Sequence, residues 1–227
     1  MRKETATDFS AYIRHTEVFD MMWESTIFRG QVVRGNLVPS VARKNVEVDT
    51  TDKEKRELTQ LRLLGASMLP DSEIGDLDLL VMAQHFSLKT RLLDWTSNPL
   101  AALWFACADP LPGDAYVYAL TVDDLMVKDV YKTDPFKTSE TRAFQPRLNN
   151  PRIVAQHGWF TLHRYSVKSK KFVNLESNPK TKVNLTEISI PAGSRDDILR
   201  SLDRHGISSR TLFPDLEGLC RYLNWKY

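Results

Sequence analysis

The stretch from Ala83 to Cys107, AQHFSLKTRLLDWTSNPLAALWFAC, constrains the fold of this chain more than any other, because it sets a group of polar residues between two apolar helical patterns. The second pattern opens with Asn98 in an N-cap position and Pro99 at the first helical position. It then places Leu100, Leu103, Trp104 and Cys107 at helix-face spacing. A helix this apolar is buried, and its burial draws the residues just ahead of it, Thr90, Arg91, Asp94, Trp95 and Thr96, toward the core. An Arg and an Asp placed there must find partners or shift their protonation. Chemistry is therefore expected in TRLLDWT, read as the loop that joins the two helices.

The chain has 227 residues, 42% of them hydrophobic, enough to bury a sizeable core in one large domain. Its 31 basic and 29 acidic side chains leave a net charge of +2, so no global field selects nucleic acid or acidic membranes as partners. The two cysteines, Cys107 and Cys220, form no CxxC pair that could hold zinc, and both read as reduced, buried thiols. The N-terminal MRKETATDFSAYIRHTEVFD has no apolar signal region, and no window approaches the roughly 18 apolar residues of a membrane span. A cytoplasmic protein with no membrane partner and no metal is expected.

A first helix is expected over residues 8–20, followed past Trp23 by a strand over Ser25–Gln31 that puts Arg29 mid-strand. Asn36–Arg43 is irregular, and Asp49–Leu64 carries a charged outer helix that Gly65 closes. A third helix, Glu73–Phe86, brings Gln84 and His85 toward TRLLDWT. After the buried helix, Pro110–Gly113 turns the chain into a core strand over Ala115–Val122. Three prolines and the adjacent Asn149 and Asn150 punctuate residues 134–151, and Arg152–His163 reads as strand, Gly158 bulge or turn, strand. Lys168, Lys170, Lys171, Lys180 and Lys182 suggest an exposed basic loop before a strand over Val183–Pro191. Ser194 is expected to cap a helix that ends at Gly206, and a last helix runs from Asp215 to Trp225.

Phe28-Arg29-Gly30 at the end of the first strand, with AQHxxxxTRLLDWTxxPLxALxFA in the middle, resembles the FRG domain, a bacterial family named for that tripeptide. Asn150-Pro151-Arg152, Gln156-x-Gly158-x-Phe160 and LFPDLEGL (Leu212–Leu219) extend the resemblance to roughly residues 20–225. It implies an N-terminal helical lead-in over 1–22 and one FRG unit over 23–227. A looser likeness of layout is to ADP-ribosyltransferases, which place an Arg on an early strand and a Ser/Thr-containing strand before an apolar helix. Thr96-Ser97-x-Pro99-x-x-Ala102-x-x-Phe105-Ala106 is similar to the second of these. That likeness implies an α+β fold with a mixed β-sheet flanked by helices, NAD as substrate, and a role as a toxin or anti-phage effector. In that family the Arg holds the NAD phosphates or ribose, and a late acidic residue steers the ribose.

Breaking a nicotinamide–ribose bond creates an oxocarbenium-like centre, so a carboxylate near the ribose, an Arg on the pyrophosphate and an aromatic surface are useful. Arg29, Asp94 and Glu217 are the candidate catalytic residues, since no late ExE or QxE pair enters a strand and Glu187 has no second Glu two residues before it. Gly30, Gln31, Gln84, His85, Arg91, Trp95, Thr96, Arg152 and Gln156 are candidates for holding NAD or another nucleotide. Several also have a structural reading: Arg29 paired with Asp94 or Glu217, Asp94 as a helix cap or in a salt bridge to Arg91, Trp95 as core, and the two glutamines as a buried amide network. On those readings the domain is a non-catalytic module for a protein or nucleic-acid partner.

Overall fold

The computed structural model describes residues 1–22, 25–70, 74–127, 129–147 and 150–227, and not the side chains of 20–22. Trp23, Glu73 and Asn149 lie outside the described residues. The chain begins with strand β1 (Arg2–Thr5) and helix α1 (Phe9–Met22), then β2 (Thr26–Gln31), α2 (Thr51–Leu64) and α3 (Asp76–His85). Next come β3 (Leu92–Thr96), α4 (Pro99–Cys107), β4 (Ala115–Thr121), β5 (Arg142–Phe144), α5 (Pro151–Ala155) and β6 (Gly158–Leu162). A small hairpin of β7 (Tyr165–Ser166) and β8 (Lys171–Phe172) leads through α6 (Pro179–Lys182) to β9 (Leu185–Ile190). Helices α7 (Arg195–Arg204), α8 (Ser209–Leu212) and α9 (Leu216–Lys226) end the chain.

Seven strands form one mixed sheet in the order β1-β9-β4-β2-β3-β6-β5, with helices against it, the α+β arrangement expected. Strand alternation separates two cores. Phe28, Val117, Ala119 and Ile188 point toward α1, α4 and α7, where they meet Ala102, Leu103, Ala106, Ile198 and Leu202. Ile27, Leu93, Trp95, Tyr118, Leu120 and Leu185 point the other way, beneath Leu37, Leu125 and Leu175. A third cluster joins Leu58 of α2 and Leu77, Leu80 and Val81 of α3 to Leu92, Phe160 and Leu162. β1 adds to β9 in parallel as a short, charged edge strand that the sequence pattern did not signal, and β5 was hidden in the same way.

TRLLDWT is a strand, not a loop: β3 pairs with β6 over five positions, from Leu92–Leu162 to Thr96–Gly158. Its alternation, Leu93 and Trp95 on one face and Leu92, Asp94 and Thr96 on the other, was masked by the short interval between two strong helical patterns. The expected strand over Arg152–Ala155 is the helix α5. Asn150 accepts from the Arg152 N–H at 2.9 Å and Pro151 supplies the first helical φ, so a cap outweighs the β-preference of Ile153 and Val154. The same pair of signals holds at α4, where Asn98 Oδ1 accepts from the amides of Leu100 and Ala101 at 2.9 and 3.3 Å. Ser194 does not cap α7; its hydroxyl donates to the Thr7 carbonyl at 2.5 Å and ties α7 to the N-terminal segment. The basic loop contains the β7–β8 hairpin. Cys107 is buried and its thiol is pushed up to about 12 by desolvation, but Cys220 is exposed. Among the described residues no helix is long and apolar enough to cross a membrane.

Candidate functional site

The ladder between β2 and β3 contains a single position, Phe28 with Thr96, in the middle of an otherwise continuous sheet. Beyond that rung Arg29 takes the place of a strand partner: its Nη1 donates to the Asp94 carbonyl at 2.8 Å, and its Nε donates to Gln31 Oε1 at 3.0 Å. Gly30, next along the strand, faces α4. A Cβ there would meet the Ala102 carbonyl oxygen at 1.8 Å, so only glycine lets the helix backbone come this close. The tripeptide thus sends Phe28 and Gly30 toward α4 and Arg29 into the seam.

Two adjoining cavities share this seam. One, of about 230 Å³, is lined by Phe28, Arg29, Gly30, Asp94, Trp95, Thr96, Phe105 and Gln156. The other, of about 370 Å³, continues past Arg29 and Gly30 to Gln31, Asn36, Arg43 and Asp109, and Phe105 lines both. The Arg29 side chain is 15% exposed. Desolvation lowers its pKa to about 10, with the nearby Arg43 adding to the drop and Asp94 opposing it. Burial with a like charge beside it leaves Arg29 suited to an anion. A larger groove of about 1050 Å³ lies between α2 and the 82–88 segment, but Leu61, Leu64, Met68, Leu69, Met82 and Phe86 give it an apolar lining that includes none of Arg29, Gln84 or Asp94.

Asp94 stands on the opposite face of β3 with its carboxylate 59% exposed. Its Oδ1 accepts from Gln84 Nε2 at 2.6 Å, its Oδ2 lies 3.8 Å from Arg29 Nη1, and Thr90 donates to the other end of the Gln84 amide. Gln84 therefore ties α3 to the mouth of the seam. His85, one residue on, has its pKa lowered by partial burial and then by the charge of Arg152. Thr96 Oγ1 donates to the Gln156 carbonyl at 2.6 Å and accepts from the Asn98 amide at 2.9 Å, while Gln156 Nε2 donates to the Leu212 carbonyl at 3.0 Å. Arg152 lies over the Phe213 ring and bonds Asp215 at 2.6 and 2.8 Å and Glu217 at 3.2 Å. Glu217 is further held by Arg221, so this carboxylate serves an ion network that docks α5 on α9.

Arg91 lies away from the cleft, and Trp95, although it lines the smaller cavity, is 4% exposed and held by the core. Arg91 is 1% exposed and bonds Glu54 of α2, itself 2% exposed, through Nη2 at 2.9 Å and Nε at 3.2 Å; it stacks over Phe136. Trp95 packs in the core, and its indole N–H donates to Thr161 Oγ1 at 3.0 Å, which also meets His163 at 2.9 Å. His163 is buried, and desolvation, helped by Arg29 and Arg91, drives its pKa down to about 3.

Arg43 lines the larger cavity from an irregular loop that carries no sequence signal, and Phe105, which belongs to the quoted motif but sits in a helix that reads as uniformly apolar, lines both. Glu187 has no companion Glu two residues before it. In the sheet it stands in register with Tyr118, which stands in register with Arg29, on one face. Two strand spacings put it about 10 Å from the Arg29 position. It accepts from Tyr118 at 3.1 Å and from Arg34 at 2.7 and 3.0 Å, under the loop that follows β2. Among the described residues no cluster of His, Cys, Asp and Glu could hold a metal ion.

The family model of the FRG domain matches residues 24–115, which include β2, α2, α3, β3 and α4 and reach the first residue of β4. No curated protein and no solved structure matched the chain.

Proposed function

We propose, from the premise that residues 24–115 carry an FRG domain, that the seam between β2 and β3 binds NAD and that the protein is an ADP-ribosyltransferase-like toxin or anti-phage effector. The observation that carries this reading is Arg29: a guanidinium largely withdrawn from water, at the junction of two cavities, with Arg43 beyond it and the Asp94 carboxylate exposed at the mouth. Such a guanidinium, desolvated and beside a second cation, favours a phosphate or pyrophosphate. Phe105 offers the aromatic wall, and Asp94, held by Gln84, is the carboxylate free to face a ribose as positive charge develops there. Glu217 is the weaker choice of acid, since Arg152 and Arg221 already neutralise it.

Titration calorimetry with NAD and release of nicotinamide test the reading together. Arg29→Lys should weaken NAD binding at least tenfold, whereas Asp94→Asn should bind NAD but release nicotinamide about a hundredfold more slowly, both with near wild-type melting temperatures. Absence of NAD binding and cleavage in the wild-type protein refutes it. One observation favours a non-catalytic module instead: Thr96 Oγ1, Gln156 Nε2 and the Arg152 guanidinium all bond the protein itself. On that reading Asp94→Asn leaves partner binding intact and nicotinamide is never released.

A further inference from the structure

We infer that the β7–β8 hairpin and the loop carrying Arg43 form a binding surface for single-stranded nucleic acid that leads to the seam. The two segments are one unit. The Phe172 amide donates to the Val46 carbonyl at 2.8 Å, Tyr165 donates to the Glu47 carbonyl at 3.1 Å, and Val38, Ala42 and Phe172 share a small core with Val41, Val46 and Tyr165. Residues 38–48 and 163–173 together hold Arg43, Lys44, Arg164, Lys168, Lys170 and Lys171 against one carboxylate, Glu47. That is an excess of five positive charges in a chain whose net charge is +2, so the remainder is net negative by three. The charge that the whole-chain balance conceals is gathered on one surface.

Lys168, Lys170, Lys171, Arg43 and Lys44 are exposed, and among the described residues none of them is in an ion pair. Arg164 extends the surface toward Glu140, which Arg142 and Lys180 already bridge. The hairpin tip is fixed in shape: Lys170 adopts φ +49°, and the Ser169 amide donates to Ser166 Oγ at 3.3 Å. Arg43 then connects the surface to the cavity shared by Arg29 and Phe105.

Cations strung along a fixed ribbon match a phosphate backbone, and an aromatic wall in a cavity of a few hundred Å³ suits one unstacked nucleotide rather than a duplex. An acidic membrane fits less well, because Val167 at the tip and Val48 are the two large apolar side chains that these segments expose, too little apolar surface to insert. The surface stands whether or not the seam binds NAD, since binding of a strand can be measured without it.

The test is fluorescence anisotropy of a labelled single strand of about 20 nucleotides, titrated over a range of salt with no NAD present. Wild-type affinity should fall steeply with salt. Lys168→Ala/Lys171→Ala should weaken binding roughly tenfold and reduce the logarithmic salt slope by about 1.4, two contacts at about 0.7 each. Arg200→Ala/Arg204→Ala removes the same charge from α7, on the opposite side of the sheet, and should change neither. Equal weakening by both pairs means that net charge alone is responsible and overturns the proposal. So does tighter binding of duplex than of single strand, or binding of phosphatidylserine vesicles by a protein that ignores the oligonucleotide.

Discussion

Glu54→Gln separates the structural from the ligand-binding residues of TRLLDWT. In the native protein Glu54 accepts from the Arg91 backbone amide at 3.0 Å, from two guanidinium nitrogens and from Thr50 Oγ1 at 2.7 Å, with both charged side chains almost wholly buried. The amide keeps the shape but removes the compensating charge and one acceptor, leaving Arg91 as a buried cation whose remaining partners, one amide oxygen, Phe136 and Thr51, carry no charge. Breaking one side of such a pair costs about 3–5 kcal/mol. For a chain of 227 residues each kcal/mol moves the melting temperature by about 2–4 °C, so a fall of about 6–20 °C is expected by circular dichroism. Replacing both partners, Glu54→Leu with Arg91→Met, should recover most of it, because no uncompensated charge remains. A Glu54→Gln protein that melts within about 2 °C of wild type yet loses NAD binding would refute the assignment of Arg91 to the core.

Gly30→Ala is expected to destabilise the protein by several kcal/mol or prevent folding, since its Cβ would overlap the Ala102 carbonyl, while Gly193→Ala, which meets nothing within 4 Å, should be close to neutral in the same melt. His163 gives the acid dependence. Its folded pKa of about 3 lies below the unfolded 6.5, so the unfolded chain takes up the proton first; its contribution is complete above pH 6.5 and is lost between 6.5 and 3 at about 1.4 kcal/mol per unit. Urea midpoints measured over that window should fall steeply in wild type and less steeply in His163→Gln, and parallel slopes would show that other groups carry the acid sensitivity.

Capped, apolar elements were legible from sequence because their signals are local. Asn98-Pro99 fixes the start of α4 whatever surrounds it, and Asn150-Pro151 does the same for α5, where the β-preference of Ile153 and Val154 masks the cap. β1, β3 and β5 were not legible as strands, since each is five residues or fewer and takes its identity from a partner distant in sequence: β9 for β1, and β6 for the other two. The candidate site divides in the same way. Arg29, Asp94 and Gln84 announce themselves as polar residues on apolar elements and do converge. Arg91 announces itself equally well, but its partner Glu54 sits in a helix 37 residues earlier that reads as solvated, and only packing reveals that Glu54 is on its buried side.

The two motifs of the sequence meet at one rung, Phe28 with Thr96, and both are referred to the same helix. α4 is positioned from below by the glycine gap at Gly30 and from its N-terminus by Asn98, whose own amide is held by Thr96. The opening of the seam is therefore set by how α4 is docked rather than by the Arg29–Asp94 pair, whose charged atoms are 3.8 Å apart and partly in water, a separation that contributes little to stability. A weak pair at the mouth of a rigid frame is the arrangement in which an anion can displace the carboxylate from the guanidinium without disturbing the sheet. Stability and ligand capture are thereby assigned to different atoms of the same short motif: Arg91 and Thr96 hold the strand, and the Asp94 carboxylate, held through Oδ1 by Gln84, keeps Oδ2 to face the guanidinium or a ligand.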